Sequence, residues 1–184
     1  MLTSDLYRGF YQKYNQERKN TTSLTREDLW CIKGLVVGTR SKTILDYGSG
    51  QGEQYSKDKI YRTMDIESNN VSCYDIGVPE FSNLPDGPFD GVICSDVLEH
   101  IPEEFLDSNL QSIFQRATKF VFCVVHCGLA QTILPNGENA HCTIKKPSWW
   151  HHKLSSHNVN DIPLCIIYRI PTNPKNDILG LLDA

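Results

Sequence analysis

Several classes of protein are excluded by what this 184-residue chain lacks. No apolar run approaches the roughly 20 residues that a membrane-spanning helix needs. The N-terminus carries no signal-peptide-like hydrophobic stretch. There is no C-x-x-C pair among Cys31, Cys73, Cys94, Cys123, Cys127, Cys142 and Cys165. Their odd number and scatter, with three inside apolar runs, fit reduced core thiols rather than a disulfide framework. A cytoplasmic location without a membrane partner is the expectation. Positive charge is not in excess either: Lys+Arg 18 against Asp+Glu 22 gives a formal charge of −4 and a pI near 5.8. Bulk electrostatics therefore make no case for nucleic acid or a membrane surface as partner, which leaves small or neutral ligands as the default, although a local patch could still bind nucleic acid. No internal repeat or low-complexity segment is present, and 40% apolar content suits one globular domain with a substantial core.

What is present alternates between two periodicities. Residues 1–40 are polar and read as helical. Thr25 is placed as an N-cap before Glu27 and Asp28, Gly38 as a stop, Leu24 and Leu29 as a hydrophobic staple, and Leu29, Ile32 and Val36 on one face. Strands are expected over 42–47, 71–75, 89–96, 119–125 and 164–168. Pro102 at N1 opens a helix over 102–117, and Pro147 opens a short one. The stretch from Asp75 to Phe89 contains Pro79, Pro85, Gly87 and Pro88 and has no room for a helix plus a strand, so a shortened crossover follows the second strand. The pattern predicts an α/β fold with a mostly parallel sheet flanked by helices and ligands bound at the carboxyl ends of its strands.

The most informative stretch is Thr43-Ile44-Leu45-Asp46-Tyr47-Gly48-Ser49-Gly50-Gln51-Gly52, a buried strand running into a carboxylate and three alternate glycines. Glycines allow positive φ and close approach of a ligand to the main chain, and a following helix start would offer N–H groups. Asp46 would repel a pyrophosphate and attract an ammonium group. These residues resemble motif I, D/E-x-G-x-G-x-G, of the class I S-adenosylmethionine-dependent methyltransferases, whose fold is Rossmann-like. The resemblance extends over about residues 42–155. It implies that Asp46, Gly48, Ser49, Gly50 and Gly52 hold the methionine part of the cofactor. An acid at the tip of the second strand would take the ribose hydroxyls. Asp75 lies 23 positions beyond Gly52 and leaves room for a helix and a strand, whereas Asp65 leaves 13 and stays as the alternative. Asp75 as a mere turn cap before Gly77 also stays open. Leu84-Pro85-Asp86-Gly87-Pro88-Phe89-Asp90 resembles the family passage that borders the adenine. On this reading 1–40 is a helical cap, 42–155 the cofactor-binding core and 156–184 a terminal strand and tail, all one domain.

Ser95-Asp96-Val97-Leu98-Glu99-His100-Ile101-Pro102 should overlook the methyl group, with Ser95 and Asp96 also beside the cofactor. One reading is ordinary loop architecture. The other notes that Asp96-x-x-Glu99-His100 is similar to the E-x-x-E-H of two metal-assisted branches of the family, which add a later histidine, here His141. Asp96, Glu99, His100 and His141 then line the acceptor space and are the candidate ligands for Mg²⁺ or Mn²⁺. His126, at the end of the fifth family strand, is left unassigned. Trp149 and Trp150 read as cover for the sheet edge or an acceptor platform. His151 and His152 point about 100° apart on a helix and do not share an ion unaided. The expected activity is methyl transfer to O or N of an unidentified, small-molecule acceptor. A catalytically inactive cofactor-binding regulatory protein and an RNA- or DNA-modifying methyltransferase are the alternatives.

Overall fold

The computed structural model describes Gly9, residues 23–134 and residues 136–171. The expectations for 1–8 and 10–22 of the helical cap, for Pro135 and for the tail from 172 onward lie outside the described residues. Five strands, β1 (Ile44–Tyr47), β2 (Val71–Tyr74), β3 (Phe89–Ser95), β4 (Ala117–His126) and β5 (Leu164–Arg169), form one all-parallel sheet in the order β2-β1-β3-β4-β5. This is the architecture expected of a Rossmann-like α/β domain.

The central strands read as continuous apolar runs because both of their faces are covered. Along β4, Phe120, Phe122 and Val124 enter one core with Ile44 and Ile93, whereas Val121, Cys123 and Val125 enter the other with Leu45, Val92 and Cys94. All six β4 side chains are fully buried, and each large one contributes on the order of 1.5–3 kcal/mol. The first core is closed by α1 (Arg26–Thr39) and the short α3 (Tyr61–Met64), through Leu29, Ile32, Val36, Ile60 and Met64. The second is closed by α4 (Glu103–Arg116) and α5 (Pro147–His157), through Leu106, Leu110, Ile113, Trp150 and Leu154. The helical segment after β1 and the helix after β3 thus cover opposite faces, so the carboxyl ends of β1 and β3 form the topological switch point, where such sheets are expected to present a ligand crevice.

Thr25 caps α1 as expected, in a reciprocal box: Asp28 N–H donates to Thr25 Oγ1 at 3.2 Å and Thr25 N–H to Asp28 Oδ2 at 2.8 Å. Leu24 and Leu29 join the same buried cluster. Gly38 is not the stop. The helix continues through it to Thr39, and Arg40 takes the left-handed cap at φ 52, with its N–H bonded back to Val36 and Val37. Pro102 precedes α4 at the N-cap rather than occupying N1. The shortened β2–β3 crossover is present, with a single 3₁₀ turn over Pro79–Phe81. A full helix after the glycines is not. Two four-residue pieces stand there, α2 (Glu53–Ser56) and α3, separated by Lys59 at φ 53. From Gln54 to Lys59 only Tyr55 is apolar enough to pack, too little to bury a longer helical face. Among the described residues no helix is long and apolar enough to cross a membrane.

Asp28 is fully buried and also pairs with Arg169 at the end of β5, so one carboxylate caps α1 and anchors it across the sheet. Replacing Thr25 with Ala removes one capping bond and is expected to cost about 1 kcal/mol. Asp28→Ala also leaves Arg169 uncompensated and should cost about 3 kcal/mol, the low end for a buried pair because Arg169 stays partly hydrated. Urea denaturation of both variants checks the ratio; equal losses would show that the ion pair adds nothing beyond the cap.

Candidate functional site

At the carboxyl end of β1, Gly48, Gly50 and Gly52 have φ of 89, 55 and 66, a region that disfavours a Cβ. Their surroundings differ. A Cβ on Gly48 would lie 2.2 Å from Val97 Cγ2, so the protein's own packing demands that glycine. A Cβ on Gly50 would meet nothing within 4 Å and would project into open space at the mouth of the crevice. The amides of the turn are directed inward: Gly48 N–H and Ser49 N–H donate to Tyr74 O at 2.7 and 3.0 Å, Gly50 N–H to Asp75 Oδ2 at 2.8 Å, and Gly52 N–H to Ser49 O at 3.2 Å. A phosphate nest needs such amides pointing outward. With its amides so committed, the turn offers no phosphate nest.

Asp75 closes the turn from the tip of β2. Its Oδ1 accepts from Gly77 N–H at 2.8 Å while Oδ2 accepts from Gly50 N–H, so it acts as the turn cap and binds the glycine loop together. Each carboxylate oxygen can accept a further bond, so the cap and a ligand role are compatible. Asp65 lies exposed at the left-handed end of α3, apart from the hydrogen bonds that close the turn. Ser49 is buried and Leu84 packs, half-buried, on the same apolar cluster as Tyr74 and Val97. Ser95, buried at the end of β3, accepts from Ser23 Oγ at 2.9 Å.

Asp46 is 4% exposed, and its Oδ2 accepts from Tyr55 O–H at 2.7 Å and Gln54 N–H at 3.1 Å. Burial pushes its pKa up to about 6; the two hydrogen bonds oppose that rise and the nearby Asp75 charge adds to it. Asp46, Asp75, Asp96 and Glu99 all stand at the carboxyl edge of the sheet. That edge suits a cationic ligand.

The second group lies across β3 and β4. Glu99 and His100 sit on a buried 3₁₀ turn, Leu98–His100. His141 arrives from a long excursion after β4 that is stitched onto this turn: Cys142 N–H and Thr143 N–H both donate to Glu99 O, and Thr143 Oγ1 donates to Ile101 O at 2.7 Å. Asn139 secures the base of the excursion, with its Oδ1 accepting from Ala130 N–H and His141 N–H and its Nδ2 donating to Ala130 O. The His100 and His141 rings meet edge to face at 4.7 Å. His100 Nδ1 lies 2.8 Å from Ala140 O and His141 Nδ1 2.6 Å from Gly128 O. A carbonyl only accepts, so both Nδ1 atoms carry the proton and both lone pairs are on Nε2. This is the arrangement that orients imidazole ligands of metal ions.

Glu99 is fully buried. Its Oε1 accepts from His126 N–H at 3.0 Å, whereas Oε2 has no hydrogen-bond partner among the described residues. Burial, with the Asp96 charge added, pushes its pKa up to about 8. The donor atoms of Glu99, His100 and His141 lie within 4.8 Å of one another, as do those of Asp96, Glu99 and His126. The sequence-predicted tetrad Asp96, Glu99, His100 and His141 is thus divided into two triads that share Glu99. His126, left unassigned from the sequence, completes the second triad: Val124 is paired with Ser95, and two residues on the His126 ring reaches Asp96, Nε2 to Oδ1 at 3.2 Å.

Native Asp46 holds its proton more tightly than it would unfolded, where its value is 3.8. Its contribution to stability is therefore greatest below that value and is lost as pH rises through about 6, at a cost of roughly 3 kcal/mol. Asp46→Asn should gain up to about 3 kcal/mol at pH 7.5 and nothing at pH 4 or below. Denaturant midpoints at the two pH values check this, and a gain independent of pH would assign Asp46 an ordinary titration. The chain matches no protein-family model, no curated protein and no solved structure.

Proposed function

We propose that the protein is an S-adenosylmethionine-dependent methyltransferase that acts on oxygen or nitrogen of a small-molecule acceptor and uses a divalent metal ion. The observation that carries this reading is the construction of the glycine turn. Its amides are turned inward, its Gly50 face is open, and acids stand at the tips of β1 and β2. A sulfonium nucleoside with an ammonium group and no phosphate fits those features; a dinucleotide does not. The resemblance of Asp46-Tyr47-Gly48-Ser49-Gly50-Gln51-Gly52 to motif I supports the same cofactor.

In this reading Gly50 gives the methionine part its close approach and Asp46 supplies negative potential. Asp75 receives the ribose, and Leu84 and Ser95 border the nucleoside. Glu99, His100 and His141 would hold the metal ion, with Nε2 of each imidazole and the unpartnered Oε2 of Glu99 as donors. The cofactor supplies an electrophilic methyl group, and the ion supplies a Lewis acid that lowers the pKa of an acceptor hydroxyl. The protein's own share would be positioning and exclusion of water, with Val97 packed against Gly48 between the glycine turn and the 3₁₀ turn that carries Glu99 and His100.

Calorimetry with S-adenosylmethionine and its demethylated product is the direct test. Binding of either is expected, and binding of neither removes the proposal. Gly50→Ala, which fills the open face, and Asp75→Ala should each weaken binding by about tenfold or more, roughly 1.4 kcal/mol. Asp65→Ala should leave affinity unchanged. Once an acceptor is found, a chelator should suppress methyl transfer, Mn²⁺ or Mg²⁺ should restore it, and His141→Ala should need more metal for half-maximal rate. A rate indifferent to chelator would remove the metal while leaving the methyltransferase; binding with no turnover on a broad acceptor panel would point to a regulatory protein.

A further inference from the structure

The two triads carry a second consequence, which rests on reading Glu99, His100 and His141 as ligands. We infer that Asp96, Glu99 and His126 form a second metal position, so that the centre holds two divalent ions with Glu99 as the shared carboxylate.

Three observations lead there. First, the five side chains fall into two donor sets rather than one, and each set is closed within 4.8 Å. Donors to one first-row ion, with bonds of about 2.1 Å, lie no more than about 4.2 Å apart even when opposite each other. Second, Asp96 Oδ1 and His126 Nε2 stand 3.2 Å apart, yet Asp96 Oδ1 is buried and makes no hydrogen bond among the described residues. The two atoms face each other without hydrogen-bond alignment. Their separation is that of neighbouring ligands at about 2.1 Å from a common centre. Third, Glu99 Oε2 is buried without a hydrogen-bond partner among the described residues, and Glu99 belongs to both sets. A bridging carboxylate is the arrangement that uses one side chain twice.

The backbone favours the same assignment. Asp96 takes the left-handed region at φ 55, which places its side chain differently from that of a residue continuing β3, and its N–H is held by Val124 O at 3.0 Å. His126 is locked at the end of β4 by its own N–H bond to Glu99 Oε1. Three imidazoles and two carboxylates are a donor set for Mn²⁺, Co²⁺, Fe²⁺ or Zn²⁺ rather than Mg²⁺, which prefers oxygen ligands and its own water.

The test is metal stoichiometry, read without any acceptor. Protein stripped of metal, loaded with Mn²⁺ or Zn²⁺ and passed through a desalting column should retain two equivalents by elemental analysis. The Mn²⁺ form should show the electron paramagnetic resonance spectrum of an exchange-coupled pair. A His151→Ala/His152→Ala background, which removes the exposed histidine pair on α5, should still retain two. His126→Ala should retain one and lose the coupling while keeping the uncoupled Mn²⁺ signal. If that variant does not fold, the wild-type count and spectrum decide alone. One equivalent with an uncoupled spectrum overturns the two-ion centre and leaves the single-ion reading standing. No retained metal in the wild type overturns both.

Discussion

Glu99 carries a carboxylate with no access to water, and three segments of the chain converge on it. Its Oε1 takes the N–H of His126 at the end of β4, and its main-chain oxygen takes the N–H groups of Cys142 and Thr143. The turn after β3, the tip of β4 and the return of the long excursion are thereby fixed to one residue. Removing an acid from water is expensive unless it is neutralised or paired, and the rise of its pKa to about 8 measures that expense. A cation placed between Glu99 and the two imidazoles would offset it. A site that is costly when empty would be better satisfied by a positive ion, which would link the fold thermodynamically to the proposed metal.

A similar logic governs the other half of the crevice. Asp46 is buried beneath the glycine turn and held by Tyr55 and Gln54, both from the short α2. Those bonds secure a helical piece of only four residues, too short to be stable by itself. The glycine turn in turn depends on β2, because Tyr74 O and the Asp75 carboxylate absorb its amides. Glycine turn and edge strand are therefore one unit. β2 is only partly buried, so polar contacts that shape the glycine turn also help to hold this edge in place.

The legibility of the chain follows the range of the interactions involved. Thr25 as N-cap, the two-sided β4 and the short β2–β3 crossover were readable because they depend on neighbours in sequence: Asp28 three residues on, an unbroken apolar run, and Pro79, Pro85 and Pro88 in one stretch. Gly38 misled because a left-handed cap was taken to require glycine, whereas Arg40 tolerates φ 52 with two carbonyls to hold its N–H. The broken helix after the glycines was missed because the expectation came from the general pattern, not from the unfavourable run Gln54 to Lys59. His126 was left unassigned for a different reason: nothing local distinguishes it, and only the packing of the β3 and β4 ends brings its ring to Asp96.

An apolar core would have been the cheaper solution for the space between β3, β4 and the excursion. Buried ionisable groups usually add less to stability than well-packed hydrocarbon of the same volume, and a half-satisfied polar cluster is worse than either. Yet five such groups meet there, two of them with buried oxygens that no hydrogen bond reaches. Among the described residues Asp28 and Glu53 also keep one buried oxygen that no hydrogen bond reaches, but each is paired with a lysine or an arginine. The surface pairs Lys57–Glu53 and Lys153–Asp107 keep at least one partner in water, and buried Asp28 has both a cap and an arginine. Asp96 and Glu99 differ in their company, which is imidazoles rather than a lysine or an arginine, two of them fixed at Nδ1 by backbone carbonyls. Stability alone gives no reason for carboxylates and imidazoles to gather in two adjoining sets; bound cations, as proposed, would supply one.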